Sequence, residues 1–246
     1  MFARRSHLPD TAGVSRGTAS ADARLKGTAL FVHGLWMTGA ESLLLGHHLA
    51  AHGWALRILP YSSLAEPMDR VARRCATYAL ALARRTLLPV HLVGHSLGGM
   101  VIYRMFETGL LAPDRFSGDF CRVVFMGTPV RGSQSARSLA RSGPGRRLLG
   151  GVGSGVLTEG VPARWPFTAQ LGIIAGNRPR GLGRLLSHFD VPNDGTVAVA
   201  ETELEGATDH CVMPVSHTGM WMSTSVAAQV ATFLAAGHFD QPERSR

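Results

Sequence analysis

The segment Val90–Gly99 constrains the fold of this chain more than any other. Its apolar residues lead directly into Gly94, Ser96 and Gly98, and a helical pattern over residues 100–107 follows at once. This order predicts a buried strand, a tight turn with the serine at its apex, and a helix. Glycines two positions either side are needed where strand and helix pass too close for side chains. The alternative is a glycine-rich turn that contains a serine by chance; the flanking strand and helix favour the functional interpretation.

Apolar strands alternate with helices along most of the chain. The predicted strands are 28–34, 55–59, 90–93, 121–126, 171–175 and 211–215, and the predicted helices are 40–52, 67–86, 100–107 and 219–236. Strands that are apolar throughout and alternate with helices are typical of a mostly parallel sheet with helices on both faces, an α/β fold. The length of 246 residues fits one such domain. We expect a flexible N-terminal arm over 1–26, the domain over 27–236 and a C-terminal tail over 237–246.

Residues 130–168 differ in kind from the rest, because they are rich in glycine, serine and arginine and contain only scattered apolar residues. A segment of this length is too long for an ordinary connection, and long insertions in compact domains are usually lids or binding loops. The pattern therefore predicts a lid-like insertion. A disordered surface insert is the alternative. The apolar residues that motivate the lid are Leu139, Leu148, Leu149, Val156 and Leu157.

The formal charge of +8 is concentrated in one segment. Residues 131–184 contain nine arginines and a single acid, Glu159. The arginines are not interleaved with aromatic residues and match no nucleic-acid-binding module, so we expect no nucleic-acid partner. Transient contact with a membrane surface, and a preference for substrates with anionic groups, are expectations that this charge supports. Coding bias is the alternative explanation for the arginines, because the chain has a single lysine, although bias does not explain the missing acids.

The sequence gives no sign of a bound metal or of export. The three cysteines stand at wide spacing, and without a third ligand type His47, His48 and His52 on one predicted helix favour a solvated or core face over a metal site. Residues 7–10, which include Pro9, are too polar for a signal peptide, and no apolar run is long enough to span a membrane. We expect a cytoplasmic protein with free thiols and no cofactor.

Two later positions complete the chemistry that Ser96 would need. A serine hydroxyl requires a base, and the base requires an orienting carboxylate. In a parallel sheet these partners lie after the carboxyl ends of later strands. Asp194 follows the strand at 171–175, and His217 follows the strand at 211–215. The order serine, aspartate, histidine is the one that this architecture requires.

These motifs together resemble those of the α/β-hydrolase superfamily, particularly its bacterial lipase and esterase-like members. Residues 94–99 match the nucleophile elbow, residues 33–35 the oxyanion-hole loop, residues 194–197 the acid turn, and His217 the late histidine. The resemblance covers about residues 27–236. The lid-like segment matches no family pattern, and no calcium ligands are recognised, so substrate and metal dependence do not carry over.

The resemblance implies a role for each motif residue. Ser96 is the expected nucleophile, His217 the base and Asp194 the acid, and the backbone N–H groups of Leu35 and Leu97 are the expected oxyanion donors. Side chains of both leucines are expected at an apolar floor. We expect His33, Gly34 and Thr128 to contact substrate, because all three follow strand ends at the same edge.

Several rival assignments remain open from the sequence. Asp190 is the alternative acid, although the turn at Gly195 favours Asp194. His210 precedes its strand and is expected to be structural, whereas His188 lies on the approach to the acid turn. For His33 and His95 we expect supporting roles rather than that of the base. Residues 61–63 could line the pocket or form an ordinary turn.

The sequence therefore predicts a serine hydrolase that cleaves carboxylic esters through an acyl-enzyme, acting on an acyl-ester small molecule or lipid. An acyltransferase or thioesterase using the same triad is one alternative. A non-catalytic small-molecule receptor on this fold is another, although a receptor has no use for all four motifs.

Overall fold

The computed structural model describes residues 25–85, 88–111, 116, 118–153, 155–180 and 189–240. Outside these residues lie 1–24 of the predicted N-terminal arm, 241–246 of the predicted tail, Arg184 and His188. No described helix is long and apolar enough to cross a membrane.

Six parallel strands form one sheet at the centre of the domain. They are β1 (Gly27–Val32), β2 (Trp54–Ile58), β3 (Val90–His95), β4 (Gly118–Met126), β5 (Ala169–Gly176) and β6 (Asp209–Met213), in the order β2-β1-β3-β4-β5-β6. Every neighbouring pair is parallel. The position of β3 between β1 and β4 places the serine turn near the middle of the sheet. The predicted fold class is confirmed.

Helices cover both faces of the sheet and divide the core in two. The helices that flank the sheet are α1 (Leu43–Ala51), α2 (Met68–Arg85), α3 (Leu97–Glu107) and α7 (Thr224–Ala236). Helices α1 and α7 contact each other, and their apolar residues pack with Phe31 and Val124 on one face. Helices α2 and α3 pack with Leu30 and Phe125 on the other. Alternate residues of one strand thus enter opposite cores, as a strand buried on both faces requires.

Element boundaries differ from the predicted ones by a few residues. The predicted strand at 211–215 lies two residues earlier, at Asp209–Met213. It ends before Pro214, which has no N–H to continue the ladder. The predicted helix at 219–236 begins at Thr224 instead. There the Ser223 side chain accepts a hydrogen bond from the Val226 N–H and caps the first turn.

The predicted insertion contains three short helices. They are α4 (Gln134–Ala140), α5 (Gly143–Gly153) and α6 (Val156–Glu159). All three contact one another, and α5 also contacts α2. The backbone N–H of Gly151 donates to the Leu64 carbonyl at 2.8 Å, which ties α5 to the loop after β2. We call residues 130–161 the cap.

Burial of His91 in β3 predicts how the free energy of unfolding depends on pH. Burial, with a smaller contribution from the Arg122 charge, lowers the pKa of His91 from 6.5 to about 3. The unfolded chain therefore takes up a proton near pH 6.5 while the folded chain does not. The free energy of unfolding should fall as pH decreases below about 6.5, by up to about 1.4 kcal/mol per pH unit for this histidine.

Urea unfolding of His91→Gln between pH 7 and pH 5 measures this contribution. We expect a shallower loss of stability with decreasing pH than in the wild type. The control is His52→Gln, which removes an exposed imidazole. Equal slopes for wild type and His91→Gln would contradict the assignment.

Candidate active site

Ser96 occupies a strained turn between β3 and α3. Its φ of 55° and ψ of −122° lie outside the conformations that side-chain-bearing residues usually adopt. Its N–H donates to the Met126 carbonyl of β4 at 2.9 Å, and its own carbonyl accepts from the Gly99 N–H at 3.1 Å. Strain of this kind persists only where the surroundings enforce it, and it is common at functional sites. The serine thus lies at the start of α3 and at the carboxyl edge of the sheet.

The two glycines of the motif make this turn sterically possible. A Cβ at position 94 would lie 2.5 Å from the Gly99 nitrogen, and a Cβ at position 98 would collide with the Val32 carbonyl oxygen of β1. Both neighbours are backbone atoms, which cannot move aside as the end of a side chain can. The glycine spacing therefore reflects the close approach of α3 to β3 and β1.

Asp194 and His217 form a buried pair at the same edge of the sheet. The distance from Asp194 Oδ2 to His217 Nδ1 is 2.7 Å. The backbone N–H of His217 also donates to the backbone carbonyl of Asp194 at 2.9 Å. The other carboxylate oxygen accepts from the N–H groups of Thr196 and Val197 at 2.9 and 2.7 Å. The aspartate is 1% exposed and the histidine 8%, so little water competes for the pair. This arrangement fixes the imidazole with Nε2 as its free nitrogen.

Ser96 and His217 line the same cavity, which has a volume of about 440 Å³. Among the described residues, the serine hydroxyl makes no hydrogen bond in this state. A long or absent serine–histidine bond is common in the absence of substrate and does not exclude proton transfer. The structure therefore brings the three predicted catalytic residues to one cavity, with the aspartate behind the histidine.

The backbone donors that the sequence predicts lie on either side of Ser96. The N–H of Leu97 belongs to the first turn of α3, where helical N–H groups have no partner within the helix. Leu35 lines the cavity, and its N–H makes no hydrogen bond to a described residue. Gly34 brings this loop close to the serine, since a Cβ at position 34 would lie 3.2 Å from that of Ser96. Both N–H groups are thus without a partner among the described residues, as oxyanion donors require.

Trp36 holds the loop after β1 against the cap. It is one of two described non-glycine residues with positive φ, at 60°. Its N–H donates to Ser63 Oγ at 3.1 Å, and its indole N–H donates to the Leu148 carbonyl of α5 at 2.8 Å. Residues 61–63, left open by the sequence, thus support this loop, and they also line a second, more open cavity beside it. The neighbouring Leu35 N–H is fixed indirectly by these bonds.

Part of the cavity wall comes from the cap, and most of that part is apolar. The cap residues that line it are Ala136, Leu139, Leu149 and Leu157, together with Ser133 and Ser135. Leu139, Leu149 and Leu157, three of the five apolar residues that motivated the predicted insertion, thus line the cavity, and the role of the insertion as a lid stays a prediction. Leu148, by contrast, is 48% exposed. The Leu97 side chain also departs from expectation, because it is fully buried in the core beneath the turn instead of forming the cavity floor.

His95 fixes the position of His217 from the opposite side. Its Nε2 lies 3.0 Å from the His217 carbonyl oxygen, so this nitrogen carries the proton and donates. Burial, together with the nearby His217 ring, lowers the pKa of His95 to about 3, which keeps it neutral. This geometry matches the supporting role that the sequence predicts for His95.

Two predicted substrate contacts differ in position from the expectation. His33 is fully buried, and its ring stacks on Tyr61 with centroids 3.9 Å apart. Thr128 is also fully buried and packs against the backbone at Gly99. Neither side chain lines the cavity, so their predicted contact with substrate is corrected to a role in packing. Gly34, the third predicted contact, does line it.

The rival titratable residues lie elsewhere. Asp190 is exposed, whereas Asp194 is buried against the histidine. His210 bonds to Thr202 Oγ1 at 3.0 Å, away from the cavity. Over the described ranges, no group of three or more histidine, cysteine or acidic side chains could hold a metal ion. His47, His48 and His52 are among the residues searched.

Three arginines of the segment 131–184 form ion pairs with glutamates from outside that segment. Glutamates from the loop before β6 form ion pairs with its arginines: Arg131–Glu203 at 3.5 Å, Arg137–Glu201 at 3.4 Å and Arg164–Glu205 at 4.0 Å. All three arginines are half-exposed or more, so each pair contributes little stability by itself. The pairs do reduce the positive charge of the cap.

The close approach of the Val32 carbonyl to Gly98 predicts that Gly98→Ala destabilises the protein. The added methyl group would overlap the Val32 carbonyl, so β1 and α3 must separate, and we expect a loss of about 3 kcal/mol or more in the free energy of unfolding. Gly143→Ala is the control, because a Cβ there would meet only the end of the Arg146 side chain at 4.0 Å. Equal urea midpoints for the two variants would contradict the steric account.

Comparisons with known proteins agree on the fold. No protein-family model matches the sequence, and no curated protein matches it. Among solved structures, the mature lipase BlEst2 of Bacillus licheniformis is 20% identical over 85% of this chain and 91% of its own, with a TM-score of 0.68. A soluble variant of monoglyceride lipase from Saccharomyces cerevisiae is 11% identical over 90% and 89%, with a TM-score of 0.63. A putative thioesterase from Silicibacter sp. is 17% identical over 87% and 78%, with a TM-score of 0.58. The resemblance predicted from the motifs is confirmed at the level of architecture: this chain has the α/β-hydrolase fold.

Proposed function

We propose that this protein is a serine hydrolase that cleaves carboxylic esters. The observation that carries the proposal is the strained Ser96 at the carboxyl edge of the sheet, in the same cavity as the imidazole of a buried histidine–aspartate pair. A receptor would gain nothing from backbone strain at a serine, so the strain supports catalysis over binding alone. The lipases among the structural neighbours support the same reaction class.

In the first half of the reaction, Ser96 Oγ attacks the ester carbonyl carbon while His217 Nε2 accepts the hydroxyl proton. The Oγ–C bond forms as the carbonyl π electrons move to the oxygen. Asp194 holds Nδ1–H and stabilises the imidazolium that results. The tetrahedral intermediate then expels the alcohol, which takes its proton from His217, and leaves an acyl group on the serine.

The N–H groups of Leu35 and Leu97 would stabilise the negative oxygen of that intermediate. Such donors act strongly because they are already oriented and the site excludes most water; loss of one typically costs about 3–4 kcal/mol of transition-state stabilisation. In the second half of the reaction, His217 takes a proton from water, and the resulting hydroxide attacks the acyl-enzyme. The carboxylic acid leaves and Ser96 recovers its proton.

The apolar cap wall supports an acyl chain as the group that is bound. Leu139, Leu149 and Leu157 would bury chain methylenes, each contributing about 0.8 kcal/mol. Esters with an aliphatic acyl chain should therefore be better substrates than acetate esters. The same triad would also attack a thioester, and the putative thioesterase among the neighbours supports that as the second candidate.

We also propose that the protein works in a reducing compartment such as the cytoplasm. The three cysteines are free thiols in this structure. The predicted contact with a membrane surface remains a prediction; exposed Leu148 beside Arg146 and Arg147 supports it.

Labelling by a fluorophosphonate probe tests the identity of the nucleophile. The wild type should label at a single serine, and Ser96→Ala should not label although it folds normally by circular dichroism. Ser133→Ala is the control, since this serine lines the same cavity but caps α4; it should label as the wild type does. A folded wild type that does not label would favour the receptor interpretation.

Asp194→Asn tests the role of the acid. The amide can keep the geometry but cannot stabilise the imidazolium, so kcat on a 4-nitrophenyl ester should fall by about 10³–10⁴-fold. Asp190→Asn removes an exposed carboxylate four residues away and should change kcat by less than twofold. If the two variants lost activity equally, Asp194 would not be the acid.

A further inference from the structure

One arginine belongs to the described part of the cavity lining. Of the described residues that line it, Arg180 alone is an arginine or lysine, and most of the remaining wall is apolar or uncharged. Arg180 follows β5 and lies outside the predicted lid at 130–168. It is an exposed residue of the cavity lining, so a permanent positive charge is available at the space in which the ester would bind.

The backbone of Arg180 is fixed beside the catalytic aspartate. Gly195, at φ 96°, lies so close that a Cβ there would be 2.5 Å from the Arg180 carbonyl oxygen. The Arg180 N–H also donates to the Arg178 carbonyl at 2.8 Å. The side chain thus starts from a defined point against the acid turn, on the side of the cavity that Thr196 and Val197 line.

The Arg180 guanidinium forms no ion pair or hydrogen bond with the side chain of any described residue. Glu41 is the only acid among the described lining residues, and its carboxylate already accepts from the N–H groups of Thr38 and Gly39 at 3.2 and 2.9 Å. Arg131 and Arg137 of the cap, and Arg164 just after it, have glutamate partners, as described above. An exposed arginine in the lining of a largely apolar cavity, with no counter-ion among the described residues, is suited to bind an anion, because its planar donors match a carboxylate or phosphate.

We propose that Arg180 is a specificity-determining residue that binds an anionic group of the substrate. The preferred substrates are then acyl esters with a carboxylate or phosphate in the acyl or the alcohol part. This inference rests on the proposed ester hydrolysis. It assigns the anion preference to one residue after β5 instead of to the charge of the cap.

The test compares matched neutral and anionic esters. In the first pair, mono-4-nitrophenyl adipate carries the charge in its acyl part, and 4-nitrophenyl hexanoate is its neutral partner. In the second pair, 3-(butanoyloxy)benzoate carries the charge in its alcohol part, and its methyl ester is the neutral partner. The measured quantity is the ratio of kcat/KM for the anionic ester to that for its neutral partner. In Arg180→Gln this ratio should fall about tenfold in at least one pair, and Arg180→Lys should restore at least part of it.

Arg178→Gln is the matched control. Like Arg180 it is exposed, but it does not line the cavity, so its loss should change the ratio by less than twofold. Added salt (0.5 M NaCl) should lower the ratio of the wild type but not that of Arg180→Gln. The proposal is overturned if Arg180→Gln changes neither ratio by twofold, or if Arg178→Gln changes them equally.

Failure of the proposed function can be separated from failure of this inference. If the wild type hydrolyses no ester, calorimetric binding of mono-4-nitrophenyl adipate to Ser96→Ala decides the role of Arg180. We expect the double variant Ser96→Ala, Arg180→Gln to bind the adipate ester about tenfold more weakly than Ser96→Ala does, while binding of the hexanoate ester changes much less. That result would support the anion site even without catalysis. Equal binding of both esters to both variants overturns it.

Discussion

The close approach of α3 to β3 and β1 is the constraint on which the rest of this site depends. Backbone atoms of Val32 and Gly99 occupy the space that side chains at 98 and 94 would need. This approach forces Ser96 into positive φ and directs the first turn of α3 at it. The same turn supplies one of the proposed oxyanion donors. This close approach thus places both the proposed nucleophile and part of the environment that would stabilise the charge it creates.

The layout of the central domain was predictable because its signals are local. A strand buried on both faces is apolar throughout, and a turn that admits only glycine shows this in the sequence. The order of Ser96, Asp194 and His217 followed from where loops emerge in a parallel sheet. The order of the motifs and the fold together were enough to predict that Asp194 and His217 pair, as they do at 2.7 Å. Boundaries shifted where a cap or a proline decided them, as at Ser223 and Pro214.

Other features depend on contacts between distant segments and left no local signal. The counter-ions of Arg131 and Arg137 come from residues 201–203, so the charge of the cap could not be judged from its own composition. Thr128 follows a strand at the correct edge, yet its side chain packs under the turn instead of facing the cavity. Arg180 is one arginine among many in the sequence. Only its place against the acid turn distinguishes it.

A crystal structure of the wild type after reaction with an alkyl fluorophosphonate tests the central claim most directly. The phosphorus should be bonded to Ser96 Oγ, with the phosphoryl oxygen about 2.7–3.1 Å from the N–H nitrogens of Leu35 and Leu97. His217 Nε2 should lie within hydrogen-bonding distance of an oxygen on the adduct, and the alkyl chain should lie along the cap leucines. An adduct on another residue, or a His217 imidazole turned away from the serine, would contradict the account.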